Sequence, residues 1–349
     1  MDKNELYSTT IKSITKNWVV IRLSALGDVV LTTGVIHYWY THFNWKFTII
    51  TQEGLTSIFE NNPAVQNIIA LTKEQLLPKH IISTARSLAN HHKNYGLIDL
   101  HGTLKTRLIS LLWRGPIYRY SKMSFERRLF LLTKNRLLKK RLNKWTVPQR
   151  YIYALNTLPP TPDQLTPIIL LHKKEEDKVK NYFTFLESPE QKVVAIHPYA
   201  THINKAWNTN SWYNIIEHLT SEKIPWFIIG QGTPLKNIPP QHDFTNKTSI
   251  RETCALLKRA AVLVTGDSGP MHLATAIKTP VIALFGPTTK DWGFFPPEDA
   301  NIILEANIPC RPCSLHGDKK CPIQRKCMEE LTPIQVMNAI KKILARQPS

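Results

Sequence analysis

The sequence predicts an α/β protein built from two doubly wound domains with parallel sheets, and three observations carry that prediction. Short apolar runs of strand length alternate with longer helical stretches in both halves of the chain. Between the halves lies LPPTPDQLTP, from Leu158 to Pro167, whose four prolines forbid a continuous helix or a central strand. A length of 349 residues with 42% hydrophobic content suits two domains of ordinary size. The expected division is residues 1–165 and 166–349.

In the first half the strand-like runs are WVVIRLS, KFTIITQ, VQNIIAL and YGLIDLHG. In the second they are VVAIHPYA, PWFIIGQG, AVLVTGDSG and TPVIALFGPT. The final stretch, TPIQVMNAIKKILARQ, opens on Thr-Pro and places Ile334, Val336, Met337, Ile340, Ile343 and Leu344 at helical spacing, so a closing helix packed on one domain is expected. The N-terminal MDKNELYSTTIKSITKNW lacks the apolar core of a signal peptide, and no run of about 18 apolar residues occurs. A cytoplasmic protein is expected.

Charge is unevenly placed. The chain carries 45 Lys and Arg against 26 Asp and Glu, and Lys105 to Arg150 alone holds 14 basic residues and one acid, Glu126. An anionic partner would be felt there.

Three strand ends carry chemistry. In open parallel sheets ligands bind beyond the carboxyl ends of strands, where a helix N-terminus offers unpaired N–H groups to phosphates. The stretch VTGDSGPMH, Val264 to His272, stands at such a point. Ser268, Gly269 and the backbone around Met271 and His272 can cradle a diphosphate, and Pro270 suits a first helical turn because its missing N–H is not needed there. Asp267 would repel a phosphate, so it either accepts hydrogen bonds from sugar hydroxyls or caps the helix. In IRLSALGDVV a strand runs into Gly27 and Asp28 before a helix. Asp28 there is either a general base for an acceptor hydroxyl or a first-turn residue favoured by the helix dipole. In HPYATHINKAW, Lys205 is either an ordinary surface lysine or an ammonium placed to neutralise a leaving diphosphate. His101, after YGLIDL, is an acceptor contact or a residue that stabilises its loop.

Taken together, LSALGDVVLT, HPYATHINKAW, GDSGPMHLATAIKTPVIALFGPT and the cysteine-rich tail followed by a helix resemble glycosyltransferase family nine, the bacterial ADP-heptose:lipopolysaccharide heptosyltransferases. The resemblance implies a GT-B fold, two Rossmann-like domains facing a central cleft, with the acceptor on the first domain and the nucleotide sugar on the second. It implies inversion at the anomeric carbon without a catalytic metal or other cofactor. Asp28 matches the family's base, Lys205 its diphosphate-contacting lysine and Asp267 its donor-sugar acid, while Ser268 to His272 match the phosphate-binding turn. Thr201 joins the donor-side residues, and Gly27, His101, Arg127 and Arg128 are assigned to the acceptor. One departure concerns the nucleotide: the loop GQGTPLKN offers no carboxylate for the ribose.

The partners expected on this reading are an ADP-sugar, a phosphorylated lipid A core acceptor and the anionic cytoplasmic face of the inner membrane, without nucleic acid. FERRLFLLTKNRLLKKRLNKW mixes Phe125, Leu129, Leu132 and Leu137 with many cations, as a segment lying on an anionic lipid surface would. The alternative is a solvated helix covering the core. The tail CRPCSLHGDKKCPIQRKC spaces Cys310, Cys313, Cys321 and Cys327 so that four thiolates can hold a structural zinc or iron, or so that four reduced thiols pack a loop. Cys254 is expected in the core. Three other readings stay open: a transferase of the same fold with another donor or a protein acceptor, a sugar-nucleotide epimerase, and a basic metal-binding protein that tracks nucleic-acid phosphates.

Overall fold

The computed structural model of the chain describes residues 17–188, 190–297 and 300–346, so the N-terminal stretch before residue 17 lies outside the described residues. The chain forms two compact units.

The first unit runs through β1 (Trp18–Ile21), α1 (Leu26–Phe43), β2 (Phe47–Gln52), β3 (Val65–Leu71), α2 (Ile81–His91), β4 (Gly96–Asp99), α3 (Leu104–Leu111) and β5 (Ile117–Arg119). Its sheet is parallel throughout, in the order β3-β2-β1-β4-β5. All four residues of β1, WVVI, are buried, as a central parallel strand covered on both faces requires. The order reverses between β1 and β4, and that reversal is where an open α/β sheet leaves a crevice for ligands.

The chain continues through α4 (Ser124–Thr133), α5 (Arg136–Leu142), α6 (Val147–Ile152) and α7 (Lys173–Lys180) into β6 (Val194–His197), α8 (Thr209–Ser221), β7 (Trp226–Ile228), α9 (Ile250–Arg259), β8 (Val262–Gly266), α10 (Gly269–Ala276), β9 (Val281–Phe285), β10 (Ile302–Glu305), α11 (Lys326–Glu329) and α12 (Pro333–Arg346). The second sheet is also parallel, in the order β10-β9-β8-β6-β7, and reverses between β6 and β8. Its core takes in the closing helix α12 through Val336, Met337, Ile340 and Ile343, while Ile334 stays exposed.

All eight strands expected from the sequence form. β5 and β10 were not expected: they are edge strands without a buried residue, so no long apolar run marks them.

The units divide elsewhere than at 165/166. One unit ends at Ser124 and then takes in Trp145–Leu170, and the other holds Phe125–Lys144 and the chain from Leu171. The proline-rich stretch is therefore not a free linker. It packs on α1, where a Cβ at Gly34 would stand 2.3 Å from the Leu165 carbonyl oxygen, so only glycine admits the approach. The Ile168 N–H donates to Thr33 Oγ1 at 2.9 Å, and Leu165 is buried.

The basic segment Phe125–Lys144 belongs to the second unit for an equally local reason. Phe130 packs edge-on against Trp292, with ring centroids 6.1 Å apart. Asn143 Nδ2 donates to Asp291 Oδ1 at 2.7 Å, and Lys139 lies 3.4 Å from Asp291 Oδ2. Asp291 is buried, and a buried carboxylate needs such partners.

Candidate functional site

In the first unit the expected base stands where the sheet order reverses. Asp28 lies in the first turn of α1, directly after β1. Arg22, at the end of the same strand and buried, places Nη2 2.5 Å from Asp28 Oδ2. Tyr151 of α6 donates its hydroxyl to Asp28 Oδ1 at 3.1 Å, and the guanidinium of Arg22 lies 5.6 Å from the centre of the Tyr151 ring. Burial raises the Tyr151 phenol well above its ordinary value, so the hydroxyl remains a donor. The Asp28 side chain keeps about a fifth of its surface exposed, so a carboxylate oriented from two sides still faces solvent.

The loop after β4 supplies the second piece. Asp99, fully buried, accepts from the backbone N–H of His101 at 3.1 Å and of Gly102 at 2.8 Å, and from Arg119 Nε at 2.9 Å. This places His101 within electrostatic reach of Arg22, Lys122, Asp99 and Asp28. Burial, helped by the charges of Arg22 and Lys122, pulls the imidazole down to about 4, so it is neutral at physiological pH. Its Nδ1 is buried without a hydrogen-bond partner. A neutral ring with an unpaired nitrogen suits a hydroxyl-bearing ligand.

In the second unit Lys205, Asp267 and the Ser268–His272 turn meet where β6 and β8 part. Lys205 Nζ donates to Asp267 Oδ2 at 2.6 Å and to the Asp267 carbonyl at 3.3 Å, and Thr288 Oγ1 donates to the same Oδ2 at 2.8 Å. Burial opposes the charge on Asp267, but the Lys205 ammonium and the Thr288 hydroxyl outweigh it, and the carboxyl sits below its ordinary range. An ammonium has three N–H groups, so one remains for a ligand oxygen.

Neither Asp267 nor Ser268 caps α10 through its side chain. Ser268 occupies the N-cap position without a side-chain cap bond, and its Oγ lies 3.0 Å from Thr265 Oγ1 and 3.4 Å from His197 Nδ1. The first-turn N–H groups of α10 are thereby left to a ligand, with Gly269 and Pro270 opening the helix. Met271 and His272 are buried, so the turn presents backbone there. Thr201 lies exposed in the loop after β6. Burial brings the His197 imidazole to about 4, keeping it neutral behind Ser268.

Not every expected residue joins these sites. Arg127, expected at the acceptor, belongs to the second unit, where its guanidinium lies 5.9 Å from the Trp292 ring centre and 5.5 Å from that of Phe294 and donates to the Trp292 carbonyl at 3.3 Å. Arg128, in the same unit, remains exposed. Arg22, Tyr151, Thr288 and His197 were not expected. An arginine inside an apolar strand run is the one signal that could have pointed to Arg22, since a buried cation demands a partner.

The four cysteines of the tail lie close enough to act on one another electrostatically. Among the described residues no group of three or more His, Cys, Asp or Glu side chains is arranged to hold a metal ion. Cys327 packs in the core with Met328 and Leu331, and burial, helped by Cys313, Cys310 and Cys321, pushes its thiol up to about 11. Cys321 Sγ accepts from the Arg325 N–H at 3.2 Å, and Cys254 is buried in α9. None of the five cysteines forms a disulfide.

Comparison with known proteins places this geometry in a family. "Lipooligosaccharide heptosyltransferase 2" of Campylobacter jejuni is 36% identical over 104 residues, 28% of this chain and 30% of that protein's length. "Lipopolysaccharide heptosyltransferase 1" of Campylobacter coli is 25% identical over 304 residues, 77% of this chain and 83% of that protein. The solved structure of Escherichia coli "ADP-heptose lps heptosyltransferase II" superposes with a TM-score of 0.70 at 20% identity, covering 95% of this chain and 99% of that one. That likeness shows the fold, GT-B with two Rossmann-like domains. Residues 82–323, more than half of the chain and a span that holds Lys205 and Asp267, match the model of that family. The chain therefore belongs to Glycosyltransferase family 9 (heptosyltransferase).

Proposed function

We propose that the protein is an inverting glycosyltransferase that moves a heptose from ADP-heptose to a phosphorylated lipopolysaccharide inner-core acceptor. The observation that carries this reading is the Lys205–Asp267–Thr288 cluster beside the open N-terminus of α10, in a member of this family. The donor assignment draws on the similar E. coli protein, an ADP-heptose lps heptosyltransferase II.

In this reading the first unit binds the acceptor and the second the nucleotide sugar. Asp28 is the general base. Arg22 and Tyr151 each engage one of its oxygens, and a carboxylate oxygen with one hydrogen bond keeps a lone pair for the acceptor hydroxyl. The proton passes to Asp28 as the acceptor oxygen forms its bond to the anomeric carbon and the bond to the departing diphosphate breaks. Such proton transfer contributes roughly 100- to 10,000-fold in rate. His101 and Gly27 lie beside the base on the acceptor side. In the second unit the free N–H of Lys205 and the first-turn N–H groups of α10 take the negative charge that develops on the leaving ADP. Asp267 orients Lys205 and offers its remaining lone pairs to sugar hydroxyls, while Ser268 and Thr201 face the phosphates.

The basic segment supports a place at an anionic inner-membrane surface. Phe125, Leu132 and Leu137 each expose three-quarters or more of their surface, beside exposed Arg128, Arg136 and Lys140. Arg127, Lys134, Lys139 and Arg141 have partners within the second unit.

Calorimetric titration with ADP, UDP, GDP and CDP tests the donor assignment. Selective ADP binding, weakened at least tenfold in Lys205→Ala, is expected, and preference for another nucleotide would replace the donor. Asp28→Ala should bind ADP nearly as the unmodified protein does and transfer no sugar. Loss of ADP binding in that variant would remove Asp28 from the role of base.

A further inference from the structure

The cysteine-rich tail has no place in the chemistry above, yet part of it wraps the turn that carries Lys205. That turn is a single 3-10 turn, Ile203–Lys205, without a side-chain cap. One such turn has little stability of its own. Its neighbours hold it from two sides. Asn204 Nδ2 donates to the carbonyls of Gly317 at 3.0 Å and Lys319 at 2.5 Å. Arg325 Nη1 donates to the carbonyls of Ile203 and Ala206, both at 3.1 Å.

The side chain of Lys205 is confined as well. Gly317, at φ +83°, approaches so closely that a Cβ there would lie 2.9 Å from Lys205 Cγ and 3.4 Å from both its Cε and His202 Cβ. The approach is itself built: Ser314 Oγ accepts from the N–H groups of His316 at 3.2 Å and Gly317 at 2.8 Å, and donates to Asp318 Oδ1 at 2.6 Å. Arg325 is anchored by its N–H on Cys321 Sγ.

We propose that the segment from Ser314 to Arg325 is a clamp that presets Lys205 for the donor diphosphate, with Asn204, Gly317 and Arg325 as positioning residues. The proposal rests on the reading of Lys205 as a diphosphate contact. A flexible lysine bound without such support would have to be ordered by the ligand itself, and affinity would fall by that cost. The cysteines then serve by packing the ends of the clamp.

The test is a double-mutant cycle on ADP affinity, measured by calorimetry with Asn204→Ala, Arg325→Ala and Lys205→Ala, singly and with each clamp change combined with Lys205→Ala. Each clamp variant should weaken ADP binding about 5- to 20-fold, a usual size for coupled neighbours. Each double variant should be no weaker than Lys205→Ala alone. Unchanged ADP affinity in both clamp variants, or full multiplication of the losses in the doubles, would overturn the clamp while leaving Lys205 in place. If the unmodified protein binds no ADP, or if Lys205→Ala binds it unchanged, the donor reading fails and the clamp fails with it. Circular dichroism checks folding; should Arg325→Ala misfold, Asn204→Ala decides.

Discussion

Tyr151 stands 123 residues beyond Asp28 in the chain, yet its hydroxyl is one of two groups among the described residues that hold the Asp28 carboxylate. The other, Arg22, is a buried cation whose nearest acid is Asp28, and its removal would leave a carboxylate without its ion pair. Tyr151 offers the cleaner experiment, because phenylalanine keeps the ring and removes one hydrogen bond. Tyr151→Phe should lower kcat about fivefold with KM for both substrates nearly unchanged, the loss of a single hydrogen bond of about 1 kcal/mol to the reacting group. A rise in KM with kcat preserved would mean that Tyr151 serves binding instead. Two buried imidazoles, His101 in the first unit and His197 in the second, are each brought to about 4 and stay uncharged at neutral pH. Of these residues the sequence marked Asp28, His101, Lys205 and Asp267 because each lies in a loop or first helical turn after a strand; Tyr151, within a later helix, carries no comparable local mark.

At the scale of elements, α7 and α9 are joined by charge as much as by apolar contact. Glu175 accepts from Arg251 Nε and, at 2.7 Å, from Arg251 Nη2, while Lys178 and Lys258 pair with Glu252 and Glu176. The hydrogen bonds from Arg251 hold the Glu175 carboxyl down at about 2, against an ordinary 4.5. A depressed carboxylate stabilises the fold fully above its unfolded value and loses that contribution as pH falls through its folded value. The window is therefore from about 4.5 down to about 2. Glu175→Gln should lower the free energy of unfolding by about 2 kcal/mol at pH 7, as expected for loss of charge-assisted hydrogen bonds to a nearly buried arginine. Urea denaturation across pH should also show a flatter acid limb in the variant. An unchanged limb would mean the pair contributes nothing. The destination of α4 and α5 shows what periodicity cannot convey: their pattern announces helices with cations, but docking on Trp292 and Asp291 put them in the second unit.

For the whole molecule, no helix among the described residues is long and apolar enough to cross a membrane. The proposed lipid contact rests on Phe125, Leu132 and Leu137 with Arg128, Arg136 and Lys140, and each cation near an anionic surface contributes about 1 kcal/mol, screened within a Debye length. Arg128→Glu, Arg136→Glu and Lys140→Glu together should abolish sedimentation with phosphatidylglycerol vesicles at low salt and leave ADP affinity unchanged. Vesicle binding that survives would assign the segment to covering the second unit alone. The sequence by itself determined the two parallel α/β units and their strand ends, because apolar runs and Gly-Asp turns are local features that neighbouring residues impose. Only the tertiary structure decided the strand order that opens each site, the unit to which the basic helices belong, and the partners of Asp28 and Asp267. Each of these depends on contacts between residues far apart in the chain, such as a glycine at 34 that admits Leu165 or a turn at 203–205 held by Arg325, and no window of sequence contains both partners.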